Sequence, residues 1–169
     1  MQQRDPDSQH SPRVLVVDDS SYLRSCVRQI LERAGLVVVG EAADGEQALV
    51  KAAQERPDVV LMDLRMPKMD GIRATQALHA QQPGTPVVLW SGESEVGMGG
   101  AVAVAGADAG LCKGTRTSDL IETLRRMCAG RSGAPPASRP SFPTFPTRWS
   151  GLESALATAD RSRPPTGAA

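Results

Sequence analysis

Residues 59–71 read Val-Val-Leu-Met-Asp-Leu-Arg-Met-Pro-Lys-Met-Asp-Gly, an apolar run that ends at a carboxylate. Val59–Met62 has the length and the β-branched content of a buried strand, and Asp63 follows it directly. Pro67 and Gly71 then mark a loop, because proline lacks an amide donor and glycine adopts turn conformations that other residues avoid. Apolar residues recur at helical spacing after Gly71. This stretch therefore predicts a strand, a polar strand end, a loop and a helix.

The same alternation of strand and helix continues along the chain on both sides of this junction. We expect the strands to be Arg13–Val17, Leu36–Val39, Val59–Met62, Pro86–Trp90 and Ala109–Cys112. Four helices have apolar faces, which comprise Leu23, Cys26, Val27, Ile30 and Leu31; Ala48, Leu49, Ala52 and Ala53; Ile72, Thr75 and Leu78; and Leu120, Ile121, Leu124, Met127 and Cys128. The helix before the fifth strand is weakened by Gly97, Gly99 and Gly100, each of which lowers helix propensity by about 1 kcal/mol relative to alanine. Five strands alternating with five helices predict a parallel sheet covered on both faces.

Cap residues support these boundaries. We expect helix starts at Ser20 or Ser21, at Asp44 with Gln47 as its capping-box partner, and at Asp70, and a helix end at Gly35. Tyr22 and Trp90 are interpreted as packing residues.

Polar side chains follow four of the five expected strands. Asp18 and Asp19 follow the first strand, Asp63 the third, Ser91 the fourth and Lys113 the fifth. The carboxyl ends of parallel strands share one edge of the sheet, and ligands of such folds bind there. We therefore expect these five side chains to surround one shallow pocket.

The residue types in this pocket predict a cation and a phosphoryl group. Carboxylates without histidine or cysteine suit Mg²⁺ or Ca²⁺ rather than zinc, and a few carboxylates with water match Mg²⁺. Lys113 and Ser91 suit an anion with several oxygens, and an aspartate can itself act as nucleophile to form an aspartyl phosphate. Each residue also has an ordinary explanation, such as a helix-dipole charge pair for Asp18 and Asp19 or a solvated strand end for Lys113. Their joint position at one edge favours a site.

The composition of the 169 residues excludes several classes of protein. Nineteen basic residues balance nineteen acidic ones, which argues against a broadly basic nucleic-acid binder. No apolar run reaches the roughly eighteen residues of a membrane helix, so we expect a soluble, cytoplasmic protein. The three cysteines contain no CxxC pair and are interpreted as reduced thiols. The chain has only two histidines, which argues against a histidine-based metal site and against a Ser-His-Asp triad.

The two ends of the chain differ from its centre. Residues 1–12 form a polar leader, and residues 129–169 contain seven of the thirteen prolines with five arginines and two acids. We expect both segments to be disordered, because they have too little apolar surface to offset the entropy of ordering. A short helix over Trp149–Thr158 could instead be a docking peptide. We favour a solvated tail.

Four segments in order resemble the receiver domain of bacterial response regulators. They are Val16-Val17-Asp18-Asp19-Ser20, Leu61 to Gly71 with Asp63 and Lys68 inside it, Ser91-Gly92, and Leu111-Cys112-Lys113. The resemblance covers residues 13–128 and implies a doubly wound, flavodoxin-like α/β fold with strand order 2-1-3-4-5. It also implies a stand-alone receiver without an output domain.

The resemblance also implies roles for individual residues. Asp63 matches the phosphoacceptor, and the Mg²⁺ ligands would be Asp18, Asp19, Asp63 and the backbone carbonyl of Arg65. Ser91 and Lys113 match the hydroxyl and ammonium groups that contact the phosphoryl group. The phosphodonor would be a sensor histidine kinase.

Three departures from the family pattern concern the output of the switch. Gly110 stands where many receivers have an aromatic residue that moves with the hydroxyl group, and Gly114 follows the lysine where many relatives have a cis proline. The glycine-rich fourth helix belongs to the surface that serves as output and dimer face in the family.

Two charged residues lie two positions beyond the site residues. Arg65 follows Asp63 and Glu93 follows Ser91, so we expect both at the pocket mouth. An ion pair between them would limit water access to the phosphoryl group. The alternative is two solvated charges, whose pairing contributes little.

The sequence therefore predicts a two-component response regulator that accepts a phosphoryl group on Asp63 and switches the binding of an unknown downstream protein. We expect no enzyme activity beyond its own phosphorylation and dephosphorylation, no direct nucleic-acid or membrane binding, and a phosphorylation-dependent homodimer as one option. The alternatives are a phosphate sink or phosphorelay intermediate, a pseudo-receiver that binds independently of phosphorylation, and an Asp-nucleophile phosphatase. A second aspartate two residues after the nucleophile is usual in such phosphatases, and Arg65 stands there.

Overall fold

The computed structural model describes residues 11–129, apart from the side chain of Glu95. The strands are β1 (Arg13–Val17), β2 (Val37–Ala42), β3 (Val59–Asp63), β4 (Val87–Ser91) and β5 (Ala109–Cys112). The helices are α1 (Ser21–Arg33), α2 (Gly45–Glu55), α3 (Gly71–Gln81), α4 (Glu95–Ala105) and α5 (Thr117–Ala129). Residues 1–10 of the expected leader (1–12), residues 130–169 of the expected tail (129–169) and the expected Trp149–Thr158 helix lie outside the described residues.

All strand pairs are parallel, and the sheet order is β2-β1-β3-β4-β5. The predicted doubly wound, flavodoxin-like fold is therefore confirmed. Asp63 is in register with Trp90, and Ser91 with Cys112. This register brings the ends of β3, β4 and β5 to the same edge.

Alternate residues of each central strand face two separate apolar cores. Leu15 and Val17 of β1 face the side covered by α2, α3 and α4. Val14 and Val16 face the side covered by α1 and α5. Strands β3 and β4 are buried at every position, as expected of strands covered on both faces.

The expected caps are present at the helix ends. The side chains of Ser20, Asp44 and Asp70 accept hydrogen bonds from the amides of Leu23, Gln47 and Arg73. The capping box is shifted by one residue, because Gln47 Oε1 accepts from the Ala43 amide rather than from that of Asp44. Gly35 follows the end of α1 with φ of 78°, a left-handed conformation that favours glycine.

The second strand differs from the prediction of a buried strand over Leu36–Val39. It is one of the two edge strands of the sheet, and Val37 is 45% exposed. It continues to Ala42, whose carbonyl accepts from the Asp18 amide at 3.1 Å. Leu36 is buried in the preceding turn. The predicted strand therefore began one residue too early, because Leu36 is buried and apolar like a strand residue.

Two predictions of buried side chains were wrong. Ala53 is exposed, because α2 packs through Gly45, Ala48 and Ala52. Tyr22 is exposed on the first turn of α1, whereas Trp90 is buried as expected. Both errors lie at the margin of a helix face, where spacing alone does not fix the direction of the neighbouring element.

Helix α4 forms despite its glycines and packs unusually close to β5. A Cβ atom on Gly110 would lie 2.7 Å from Met98 Cγ and 2.7 Å from Val102 Cγ2. Residues of α4 therefore fill the space above Gly110. The outer side of α4 is apolar as well, and Val96 is 89% exposed.

Across the described residues, the helices are all too short or too polar to span a lipid bilayer.

Candidate functional site

The carboxyl edge of the sheet gathers three aspartates. Asp18 is fully buried, Asp63 is 3% exposed and Asp19 is exposed. One carboxylate oxygen from each lies within 4.8 Å of the others. Two hydrogen bonds to neighbouring backbone hold Asp18 in place. Its amide donates to the Ala42 carbonyl, and its Oδ1 accepts from the Ser20 amide at 2.9 Å.

Lys113 extends from the end of β5 to this carboxylate cluster. Its Nζ lies 2.7 Å from Asp18 Oδ2 and 3.2 Å from Asp63 Oδ1. The same ammonium is 5.5 Å from the centre of the Trp90 ring, within range of a cation–π contact. The Lys113 amide donates to the Ser91 carbonyl at 2.8 Å, which fixes the backbone at the strand end. Buried Ser91 ends the neighbouring strand at the same edge.

The charges in this site perturb one another. Burial raises the pKa of Asp63, and the charge of Asp18 adds to this effect, while Lys113 opposes it without cancelling it. Burial by itself disfavours the Lys113 ammonium, but its hydrogen bonds and charge interactions with Asp18 and Asp63 outweigh burial and raise its pKa. The site therefore holds Asp63 as a carboxylate at a free-energy cost.

We expect this cost to appear as a pH dependence of folding stability. The folded-state pKa of Asp63 lies above the unfolded-state value, so the folded protein binds more protons between the two values. The contribution of Asp63 to the free energy of unfolding should therefore fall as pH rises through that window. Urea unfolding in EDTA at several acidic pH values, on wild type and Asp63→Asn, measures it as a difference. A difference that stays constant with pH would contradict this account.

The raised pKa of Lys113 has a consequence of the same sign, but at alkaline pH. Its stabilising contribution is fully present below the unfolded-state pKa and is lost as pH rises through the folded-state value. The acidic window therefore isolates Asp63, because Lys113 stays protonated throughout it.

The donor set fits a hard divalent cation. Three carboxylates face one ammonium, which leaves two negative charges in excess when all are ionised. Asp18 Oδ2 is buried, and among the described residues its close polar neighbour is the Lys113 ammonium at 2.7 Å. A buried carboxylate oxygen in that state is suited to a metal ion.

The loop between β3 and α3 turns tightly beside Asp63. The Asp63 Oδ1 atom accepts from the Leu64 amide at 2.8 Å, and the Gly71 amide donates to the Leu64 carbonyl at 3.0 Å. A Cβ atom on Gly71 would overlap the Asp63 carbonyl oxygen. Glycine is therefore required where the chain enters α3.

Arg65 and Glu93 form the expected ion pair at the pocket mouth. The Arg65 Nε atom donates to Glu93 Oε1 at 2.5 Å, although Arg65 is 79% exposed. Beside them lies an open cavity of about 570 Å³ lined by Leu64, Arg65, Met66, Asp70, Ile72 and Glu93. The pair joins the loop after β3 to the loop after β4.

Two features of the site were not predicted from sequence. Trp90 was expected only to pack, but its ring also lies under the Lys113 ammonium. Its place directly before Ser91 at a strand end was the available signal. Lys68 was expected only as part of the motif, but it contacts Asp44 at the start of α2, and no spacing rule links these two positions.

The family model described as response regulator receiver domain matches residues 14–125. Chemotaxis protein CheY of Thermotoga maritima is 33% identical over 115 residues, which cover 68% of this chain and 96% of that protein. A solved structure of the CheX–CheY–BeF₃–Mg²⁺ complex from Borrelia burgdorferi matches with a TM-score of 0.62 at 27% identity, over 68% of this chain and 87% of that chain.

Several curated relatives are longer than this chain. A protein-glutamate methylesterase/protein-glutamine glutaminase of Alkalilimnicola ehrlichii is 35% identical over 167 residues, which cover 93% of this chain and 41% of that protein. The chain spans less than half the length of this and similar relatives.

Proposed function

Because this chain belongs to the receiver-domain family of two-component response regulators, we propose that it accepts a phosphoryl group on Asp63 from a sensor histidine kinase and thereby changes what its surface binds. The observation that carries the proposal is the buried Asp63 carboxylate, with Lys113 Nζ at 3.2 Å and two further carboxylates within 4.8 Å.

In the proposed step, an Asp63 oxygen attacks the phosphorus of a phosphohistidine. The oxygen–phosphorus bond forms as the nitrogen–phosphorus bond breaks, and the released imidazole takes up a proton. Lys113 neutralises charge on the phosphoryl oxygens, and the Ser91 hydroxyl donates a hydrogen bond to one of them. Burial favours this chemistry because few waters compete with the donors.

Mg²⁺ is the cation that suits the donor set best. The carboxylates of Asp18, Asp19 and Asp63 would hold it together with water. The backbone carbonyl of Arg65 would be the further protein ligand that the family resemblance implies. The ion would supply positive charge to the phosphoryl oxygens. The buried and sparsely bonded Asp18 Oδ2 supports this assignment.

The functional unit in this proposal is a receiver domain over residues 13–128, flanked by a leader (1–12) and a tail (129–169), in a cytoplasmic protein. The output is a changed affinity for a downstream protein or for a second copy of the chain. The apolar outer side of α4 supports a binding surface there, since Val96 and Val104 are exposed. Met98 and Val102 of α4 pack over Gly110 of β5. In this chain, direct contact between α4 and β5 therefore takes the place of the aromatic side chain that many receivers have at this position.

Three alternatives lead to different results. A phosphate sink or phosphorelay intermediate would pass its phosphoryl group to a second histidine protein. If the chain is a pseudo-receiver, wild type and the Asp63→Ala variant would bind the partner equally well. A phosphatase would release more than one equivalent of phosphate, which we do not expect because Arg65, paired with Glu93, occupies the position of the second aspartate.

Intact mass after incubation with acetyl phosphate tests the proposal. We expect a gain of one phosphoryl group that requires Mg²⁺ and is lost in EDTA. No gain by a folded protein, either with acetyl phosphate or with a panel of histidine kinases, would favour the pseudo-receiver.

The Arg65–Glu93 ion pair should slow the loss of the phosphoryl group. It joins the two loops at the pocket mouth, so its removal should admit more of the attacking water and shorten the phosphoryl half-life severalfold. The half-life is measured by intact mass after removal of acetyl phosphate, in wild type and in Arg65→Ala/Glu93→Ala. Arg116→Ala, at the exposed residue directly before α5, is a matched control. An unchanged half-life in the double variant removes this role.

A further inference from the structure

The middle of the loop between β3 and α3 is attached to the start of α2. Lys68 Nζ lies 2.8 Å from Asp44 Oδ2, and the Gly45 amide donates to the Met69 carbonyl at 3.2 Å. Asp44 is nearly fully buried, whereas Lys68 is 58% exposed. We call these four residues (Asp44, Gly45, Lys68 and Met69) the loop anchor.

The two sides of the loop anchor are in close contact. A Cβ atom on Gly45 would lie 2.7 Å from Met69 Cγ and 2.8 Å from the Met69 carbonyl oxygen. Any larger residue at this position would push the loop away from α2. The φ angle of Gly45 is not in the left-handed region, so the need for glycine here is steric rather than conformational.

The conformation of Lys68 also depends on the loop anchor. Its φ angle is 64°, a left-handed conformation that non-glycine residues adopt at a cost. The Asp44 carboxylate offsets this cost through the ion pair, and the Lys68 hydrogen bond is the main reason that the pKa of Asp44 is lowered. Asp44 also caps α2 by accepting from the Gln47 amide at 2.9 Å. One buried carboxylate thus holds both a helix start and a loop.

The loop anchor completes the attachment of a loop whose ends are already fixed. The Gly71 amide donates to the Leu64 carbonyl and so joins the two ends of the loop, and Asp70 caps α3 at the second end. Arg65 lies between these fixed ends and the loop anchor. The position of its backbone carbonyl therefore depends on where Lys68 and Met69 are held.

We propose that Asp44 and Lys68 are positioning residues for the cation site, because they hold the loop that carries Arg65, whose carbonyl is the backbone ligand in the proposed function. This inference rests on the proposed function, because it assumes that the cluster binds Mg²⁺. Neither residue touches the cation. Residues that orient metal ligands commonly change metal affinity by about 10- to 100-fold when mutated, and a single carbonyl ligand places the expected effect near the lower end.

Replacement of Lys68 separates positioning from simple electrostatics. Removal of a positive charge near an acidic site should by itself strengthen Mg²⁺ binding. Loss of the loop anchor should weaken it. Lys68→Met keeps the aliphatic stem and the same backbone demand, so the two explanations predict changes of opposite sign.

The experiment is a Mg²⁺ titration followed by the fluorescence of Trp90, whose ring lies under Lys113 beside the site. Trp149, the other tryptophan of the chain, is replaced by Phe in every variant so that only Trp90 reports. We expect the Kd for Mg²⁺ to rise about tenfold in Lys68→Met. We also expect Lys68→Arg to retain most of the Mg²⁺ affinity. Gly45→Ala should raise the Kd for Mg²⁺, as Lys68→Met does.

Arg73→Met is the matched control. It removes one positive charge from the exposed first turn of α3, outside the loop anchor. Its Kd should be unchanged or slightly lower, and the melting temperature of Lys68→Met in EDTA should stay within a few degrees of wild type.

Two results separate the failure of this inference from that of the proposed function. If wild type binds Mg²⁺ and Lys68→Met binds it equally or more tightly, Lys68 has no positioning role. If wild type gives no Mg²⁺ response by fluorescence or calorimetry, the proposed function fails and the positioning role fails with it.

Discussion

Asp63→Asn is expected to abolish phosphoryl incorporation from acetyl phosphate while the folded protein becomes more stable in EDTA. An amide is not a nucleophile toward phosphorus, so intact mass should stay at the unmodified value in the presence of Mg²⁺. The gain in stability follows from the raised pKa of Asp63, since its carboxylate is held in a buried site beside Asp18 at a cost. Asparagine removes that charge and keeps the shape of the side chain.

The combination of the two effects is what identifies the acceptor. A variant that lost phosphorylation through unfolding would lose stability, whereas Asp63→Asn should gain it. Asp119→Asn on α5 is a suitable control, because it removes one carboxylate away from the pocket and should incorporate one phosphoryl group as wild type does. Incorporation into Asp63→Asn at the wild-type level would place the acceptor elsewhere.

Lys113→Met is expected to destabilise the protein strongly in EDTA and much less in Mg²⁺. The substitution leaves the fully buried Asp18 and the nearly buried Asp63 without their shared counterion. Removal of one partner from a buried ion pair typically costs about 3–5 kcal/mol, and we expect about 3 kcal/mol here because part of the Lys113 side chain reaches solvent. Mg²⁺ should recover much of this loss, since it supplies positive charge to the same oxygens.

Urea unfolding at neutral pH, in EDTA and in excess Mg²⁺, measures both values. Lys51→Met on α2 removes a lysine of the same type outside the pocket, and we expect it to change the free energy of unfolding by less than about 1 kcal/mol in either condition. Equal losses for Lys113→Met and Lys51→Met in EDTA would mean that Lys113 does not balance the buried carboxylates. Equal losses for Lys113→Met in EDTA and in Mg²⁺ would argue against a cation at these oxygens.

Both predictions depend on residues that the sequence itself placed together. Each of the residues Asp18, Asp63, Ser91 and Lys113 lies at or directly after the end of an apolar strand, and parallel strands in one sheet bring such ends to one edge. Strand length and side-chain periodicity are local properties, so they were readable without coordinates. The Arg65–Glu93 pair was also foreseen, because both residues lie two positions beyond such ends.

The errors arose where the neighbours of an element matter more than its own pattern. Strand β2 was expected from its apolar run to be buried, because periodicity does not distinguish an edge strand from a central one. It lies at the edge of the sheet, as the strand order implied by the family resemblance requires. Ala53 was assigned inward because helical spacing defines a face only approximately. Tyr22 was interpreted as a packing residue from its type alone, and it is 62% exposed. The packing of α4 against Gly110 could not be predicted from the sequence either, since it depends on the distance between a helix and a strand.

The sequence by itself determined the alternating α/β order, the residues at the carboxyl edge and the chemistry that they favour, because these follow from short-range periodicity and from residue type. The tertiary structure decided which charges balance each other and how the loop beside Asp63 is held. Lys113 could have contacted one carboxylate or none, and it contacts two. Lys68 and Asp44 are 24 residues apart and meet only because α2 and the loop after β3 pack together. Contacts of this kind depend on the relative placement of whole elements, which no local pattern encodes.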